Sequence, residues 1–429
     1  MIKKIFSTLL LSICCLNPWT AYAGITNYPG LVTPSYWIKQ NNDGDKVILD
    51  AAGVKKFNAS VRQKSKEVAD LANYPPTLAG STVKKMLSDN TLFDETLYLN
   101  GSAVSSSYKN ILKKQINLAA VPEKVTTKWG ITVKRTNVRN IPTGEGLFFY
   151  PHDKEFDALQ ETALDPGEAV AVLHQSANGF FYFVQAGNYF GWVSKFDIAL
   201  TDRQTWMQYL KPKNFLVVTA RDFVRKVGGS NVLYQQGAVL PVTGTSNSYY
   251  KVVVPVRGGN GSLQGQEIYV DKNEQAVHYG YLPYTANNII RSVFRFHNAS
   301  YGWGGSKNSV DCSSLIFNAY RTVGIYLPRN ADQQENSAGI KHKLTGLNDS
   351  QRREIIGRLR PGAALYMEDH AVVYLGQLRG EPYVIHALGS YYANDGAQKV
   401  MRVVVSDLTL LRGTGKSFLQ SLTTANEFK

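Results

Sequence analysis

The sequence predicts a multidomain chain with a helical N-terminal segment, two small all-β barrels and a C-terminal α+β domain. Three observations lead there. Apolar residues recur at helical spacing as far as about residue 123. From about Thr126 to residue 280, short alternating runs are broken by Gly, Asn and Pro turns, and the pattern echoes itself. After Pro283, helical patterns and β-rich runs mix. A length of 429 residues suits two to four domains, and a hydrophobic fraction of 44% is enough for each to bury a core.

The chain opens with "MIKKIFSTLLLSICCLNPWTAYAG". Lys3 and Lys4 make a basic start, Ile5 to Leu16 an apolar run, and Ala21-Tyr22-Ala23 a small-x-small cleavage site. A signal peptide over 1–23, cut before Gly24, is expected, giving an exported protein, periplasmic or extracellular. A lipoprotein signal at Cys14 or Cys15 fits less well, because Ile13 or Cys14 would stand where a small residue belongs. No later apolar run reaches the roughly 18 residues of a membrane helix, so no span is expected. The formal charge is +14, and loss of Lys3 and Lys4 lowers it by two. A basic exported protein suits an acidic polymer such as cell wall. The basic residues are scattered rather than striped, which argues against nucleic acid. A monomer is expected.

Residues 24–125 read as a helical bracing domain. In "DAAGVKKFNASVRQKSKEVADLAN", Val54, Phe57, Val61, Val68 and Leu71 fall near helical spacing, and Pro75–Pro76 ends the run. "STVKKMLSDN" predicts a second helix capped by Ser81 or Thr82. No chemical constellation occurs here. Residues 126–203 and 204–280 read as the two barrels. "RTNVR" (Arg135–Arg139) matches "RDFVR" (Arg221–Arg225), and "GWVSK" (Gly191–Lys195) resembles "IYVDK" (Ile268–Lys272), with "TDRQTWMQYLKP" as linker. Residues 281–429 begin with the helical "ANNIIRSVFRFHNAS". They end with the strand-like "AALYMEDHAVVYLGQL", "EPYVIHALGSYY" and "KVMRVVVSDL".

Between these lies "YGWGGSKNSVDCSSLIFNAY". Of three cysteines, cleavage would leave Cys312 alone, with no internal disulfide to form. Composition by itself favours a buried core thiol. Position argues otherwise. Asp311 is an N-cap type, Leu315, Ile316, Ala319, Tyr320 and Val323 make one apolar face, and Gly324 is a stop. Cys312 would then sit in the first helical turn, where the dipole and free amides favour a thiolate. A thiolate nucleophile needs a base and an orienting partner. Among His152, His174, His278, His297, His342, His370 and His386, the last two flank the turn "QLRGEP". A hairpin centred near Arg379 would set them almost opposite each other.

"YGWGG…DCSSLIFNAYRTVGIYLPRNADQQ" with "DHAVVYLG" and "VIHALGS" closely resembles the NlpC-type bacterial cysteine peptidases, from about Tyr281 to the C-terminus. The resemblance implies a papain-like fold, with Cys312 as nucleophile, His370 as base, His386 as orienting residue, and Tyr301 as a hydroxyl near the oxyanion. It also implies that Asp311 and Ser313 line the substrate side. The domain order resembles a subgroup with an N-terminal bracing segment and two Src-homology-3-like barrels. That subgroup cuts the bond from γ-D-glutamate to a diamino acid in peptidoglycan stem peptides or muropeptides. In it the first barrel narrows the cleft and helps hold a free L-alanine amine. "EFDALQ" (Glu155–Gln160) resembles its barrel segment, with Asp157 a candidate to reach the site. Two positions depart from the pattern. Ser314 replaces a glycine, and Asn330 stands where an acid is common, keeping hydrogen bonding but losing charge. No cofactor and no metal are expected. The alternatives are a wall-binding protein with an inactive peptidase domain, an amidase or acyltransferase using the same triad, and a metal site of Cys312, His370 and His386, which lacks paired ligand spacing.

Overall fold

A computed structural model describes residues 24–88 and 92–429; the expected signal peptide, 1–23, lies outside the described residues. The N-terminal segment carries helices α1 (Pro34–Gln40), α2 (Ala51–Lys64), α3 (Gly80–Ser88) and α4 (Ser106–Gln115). Strand β1 (Thr77–Ala79) pairs with β4 (Lys124–Thr126), and β2 (Tyr98–Leu99) with β3 (Ser102–Ala103). Asp50 caps α2 by accepting from the Gly53 amide. The second predicted helix, α3, starts at Gly80, so Ser81 and Thr82 lie inside it rather than capping it. α2 stops at Lys64, yet Val68 and Leu71 are buried beyond it. Trp37, Phe57, Val61 and Val68 join the core of the C-terminal domain, so this segment braces by burying apolar surface there.

The two β units share one plan. The first has β5 (Lys128–Thr132), β6 (Thr136–Arg139), β7 (Gln160–Leu164), β8 (Ala169–Gln175), β9 (Phe181–Gln185), β10 (Phe190–Ser194) and β11 (Ile198–Thr201). Helix α5 (Arg203–Leu210) links them, with buried Trp206 against Trp129 at 4.6 Å. The second has β12 (Phe215–Val218), β13 (Asp222–Val227), β14 (Ser230–Gln235), β15 (Val239–Thr245), β16 (Tyr249–Arg257), β17 (Leu263–Asp271) and β18 (Val277–Tyr279). The order β11-β5-β8-β9-β10 in one corresponds to β18-β12-β15-β16-β17 in the other, and the β6–β7 pair corresponds to β13–β14. The "RTNVR" and "RDFVR" echoes fall on equivalent strands β6 and β13, and "GWVSK" and "IYVDK" on β10 and β17.

The C-terminal domain packs helices α6 (Ala286–Phe294), α7 (Cys312–Arg321) and α8 (Ala331–Asn336) with β19 (Ile340–Lys343) and α9 (Asp349–Gly357) around a sheet. The sheet continues through β20 (Ala364–Met367), β21 (His370–Leu378), β22 (Glu381–Ala393) and β23 (Gly396–Asp407), then α10 (Phe418–Ser421) and β24 (Thr424–Glu427). Its order is β19-β24-β20-β21-β22-β23, antiparallel throughout. Ile289, Ile290, Leu315, Ile316 and Ala319 of α6 and α7 bury one face against Val373, Ile385 and Val405. Ile356, Leu359, Phe418 and Leu419 cover the other, against Val372, Val384 and Val404.

The outer edge of β23 is covered twice. The segment before α7 pairs with it, Tyr301 N donating to Met401 O at 2.9 Å and Val403 N to Ala299 O at 2.9 Å. Farther along, Ile25 bridges Ser406, with Thr26 N donating to Val405 O at 3.0 Å. These pairings satisfy an edge that would otherwise invite another chain.

Candidate active site

Helix α7 starts as its sequence requires. Asp311 is extended (φ −94°, ψ −174°) and accepts from Ser314 N at 2.9 Å, while Ser314 Oγ accepts from Asp311 N at 2.8 Å. This reciprocal capping box gives the departure at Ser314 a role: its hydroxyl closes the cap. Cys312 is the first helical residue and stays partly exposed.

The two histidines meet on one face of the β21–β22 hairpin. The turn is centred between Arg379 and Gly380, both at positive φ, and a bulge near Leu375 adds a residue to β21. Extending the register beyond Val373↔Ile385 sets Leu388 opposite His370, and His386 one diagonal step away. They are therefore not directly opposed, yet diagonal neighbours on one face remain within reach of long side chains. His370 Nε2 lies 2.8 Å from His386 Nδ1, and His386 Nε2 lies 3.0 Å from Ser406 Oγ on β23. The Ser406 hydroxyl can donate or accept, so two tautomer chains fit these contacts, and one of them frees a ring nitrogen of His370. In that one, His370 Nε2–H donates to His386 Nδ1, and His386 Nε2–H donates to Ser406. That leaves His370 Nδ1 as a free base. His386 is fully buried, and Phe418 packs on both rings.

Cys312 accepts from the backbone amide of Ala371, the residue after His370. Burial, then the Asp311 carboxylate, pushes the thiol up to about 12. This reverses the sequence expectation of a lowered pKa, because desolvation outweighs the helix terminus. Burial, then Arg412, pulls His370 down to about 4, and burial holds His386 well below the usual imidazole range. Burial, Cys312 and Asp311 keep Tyr301 a neutral phenol.

Asp311 and Ser313 are both engaged within the protein. Arg329 binds Asp311 Oδ2 at 2.5 Å and Ser313 Oγ at 2.9 Å, and all three side chains are buried. Burial opposes ionisation of Asp311, but Arg329 and the capping amide hold it charged. Asp157 is likewise engaged. Its carboxylate takes Arg139 at 2.8 Å and the amides of Leu147 and Leu159, within the first β unit. Its neighbour Phe156 reaches the site instead, packing on Tyr301 at 5.9 Å and Trp303 at 5.5 Å.

The first β unit walls this region from β7. Gln160 Nε2 donates to Gly304 O at 2.8 Å, and a Cβ on Gly304 (φ +56°) would lie 2.7 Å from Gln160 Cγ. Arg329 Nε donates to Thr162 Oγ1 at 2.8 Å. Between them, Glu161 accepts from Tyr189 Oη and from Asn140 Nδ2, and Tyr189 also meets the Asn330 side chain. Burial pushes Glu161 up against the pull of Tyr189, Asn140 and Arg329. Glu161 directly follows "EFDALQ", outside the segment that the sequence marks. Arg329 lies in the "LPR" of the quoted motif but carried no assigned role, and Ser406 and Tyr189 left no signal that spacing could find. A separate cleft of about 1050 Å³ between α2, the linker and Tyr281–Tyr284 is lined by none of these residues. Among the described residues, no group of three His, Cys, Asp or Glu is placed to hold a metal.

Residues 298–400 match the NlpC/P60 family, and residues 147–194 match an SH3 domain of the SH3b1 type. The C-terminal domain is an NlpC/P60 domain. An NlpC/P60 endopeptidase from Photobacterium damselae subsp. piscicida shares the fold, at 18% identity over 90% of this chain and 94% of its own, with a TM-score of 0.74. An NlpC/P60 family protein from Bacillus cereus is 18% identical over 63% of this chain and 83% of its own, with a TM-score of 0.46. No curated protein sequence matches the chain. The chain thus carries an NlpC/P60 domain behind an SH3 domain of the SH3b1 type.

Proposed function

We propose that this chain is an exported cysteine peptidase that hydrolyses the γ-D-Glu–diamino acid bond of peptidoglycan stem peptides, preferring a free N-terminal L-Ala. The observation that carries it is the cluster of Glu161, Tyr189 and Asn330, contributed by the SH3 unit and the NlpC/P60 domain together. A buried carboxylate with hydrogen-bonding neighbours suits a substrate ammonium, and it supplies the charge missing at Asn330.

Cys312 Sγ attacks the γ-carbonyl carbon while His370 takes the thiol proton. The oxyanion forms against the free amides of the first helical turn and the Tyr301 hydroxyl. As the C–N bond breaks, His370 returns that proton to the leaving amine of the diamino acid. Water then attacks the thioester, His370 accepts its proton, and the thiol departs reprotonated. His386, held by Ser406, keeps His370 in the tautomer this needs.

A matched pair of L-Ala-γ-D-Glu-diaminopimelate tripeptides, free and N-acetylated, tests the reading. The free peptide is cut far faster, since an unpaired buried charge costs several kcal/mol and each 1.4 kcal/mol is about tenfold. Asn330→Asp sharpens the preference. Equal kcat/KM for the two peptides would overturn free-amine selectivity and favour an enzyme acting on intact wall.

A further inference from the structure

Gly24 is the residue that export processing would expose, and it is not loose. Its nitrogen lies 3.0 Å from both Oδ1 and Oδ2 of Asp407, in a buried contact. Its carbonyl accepts from Asp407 N at 3.2 Å, closing a two-way link to the end of β23. Asp407 is 4% exposed. Its other partners are the amide of Thr409 at 2.9 Å and its hydroxyl at 2.6 Å, both on Oδ1. Among the described residues no cationic side chain pairs with it. A buried carboxylate without a cation is costly. A peptide N–H has one hydrogen for two equidistant oxygens, whereas an α-ammonium has three and a positive charge.

We propose that Asp407 is the receptor for the α-ammonium of Gly24, and that this ion pair positions the catalytic histidines through Ser406. A signal peptidase, with water, would break the Ala23–Gly24 amide, leaving a carboxylate on Ala23 and the ammonium on Gly24. The next residues carry the effect onward. Ile25 bridges Ser406, and Ser406 Oγ is the partner of His386 Nε2. Fixing Gly24 and Asp407 therefore fixes the backbone on both sides of the hydroxyl that sets the His386 tautomer. Asp407 is a positioning residue, and leader removal is the event that completes its pair.

The test uses the full mature chain in three forms: beginning at Gly24 with a free amine, beginning at an N-acetylated Gly24, and retaining Ala21 to Ala23. Asp407→Asn is made in the first and third. The readouts are the pH profile of iodoacetamide alkylation of Cys312, and Tm. Alkylation needs no peptide, so failure of the substrate reading cannot be mistaken for failure here. Acetylation and extension each slow alkylation about 2- to 30-fold near neutral pH, the range of coupling carried by a contact network. Asp407→Asn does the same in the free-amine form and adds little in the extended form. Equal alkylation of the free and acetylated forms would overturn the proposal, as would simple additivity of extension and Asp407→Asn. A drop in Tm with an unchanged alkylation profile would also overturn it, because the contact would then be structural only. N-terminal sequencing of the exported protein should read Gly-Ile-Thr, and any other start sinks the idea.

Discussion

Cys312 and His370 rest in their uncharged forms, since burial raises one and lowers the other, to about 12 and about 4. The resting pair is thiol and imidazole, and the proton moves as the bond forms. Iodoacetamide alkylation of Cys312 should then keep rising with pH through the neutral range, whereas a plateau from acid pH would reveal a standing ion pair. His370→Ala should lose roughly 10²- to 10⁴-fold in kcat, the usual worth of a general base. His386→Asn should retain more, because an amide oxygen can still accept from His370 Nε2–H. Equal loss in both would remove the distinction between base and orienting partner. The depressed His370 pKa also fixes a stability trend. Below 6.5 the unfolded chain binds a proton that the folded site resists. Stability from this group is present above that pH and is lost as pH falls towards about 4. Urea unfolding at stepped pH reads it, and the slope should become shallower in His370→Ala, with His386 keeping its own share.

At the scale of elements, α7 is a helix whose start was legible from Asp311 and whose apolar face was legible from Leu315, Ile316 and Ala319. Its anchoring was not, because Arg329 lies 18 residues away from Asp311 and meets it only in the fold. Arg329→Met should cost about 3–5 kcal/mol by leaving a buried carboxylate unpaired, as chemical denaturation would show. Ser314→Gly removes the hydroxyl that accepts from Asp311 N and should cost about 1 kcal/mol, leaving Cys312 in place. If Ser314→Gly changed kcat more than stability, the hydroxyl would belong to the chemistry instead. The β21–β22 hairpin was likewise legible from its turn, but the turn centre between Arg379 and Gly380 offsets the two histidines, and the bulge at Leu375, which no sequence pattern announced, takes back one position and returns both to one face as diagonal neighbours.

Across the whole molecule, the SH3 unit packs against the NlpC/P60 domain beside Tyr301, Gly304 and Arg329. Phe156, Gln160, Glu161 and Thr162 all reach the NlpC/P60 domain or its neighbourhood from one short stretch. Glu161→Gln should lower kcat/KM on the free tripeptide by about tenfold or more and leave the acetylated one nearly unchanged. A parallel loss on both peptides would make Glu161 a packing residue.

The sequence by itself determined the domain order, the placing of Cys312 at a helix start and the pairing of two strand histidines. Each is a local pattern: a cap, a periodicity, a turn. The tertiary structure alone decided which polar groups remain free to act. Asp311 and Ser313 were drawn into Arg329, and Asp157 into Arg139, while Glu161 and Ser406 came forward from distant strands. The physical reason is that a buried charge must find a partner, and the partner it finds is set by packing across the chain rather than by its neighbours in sequence.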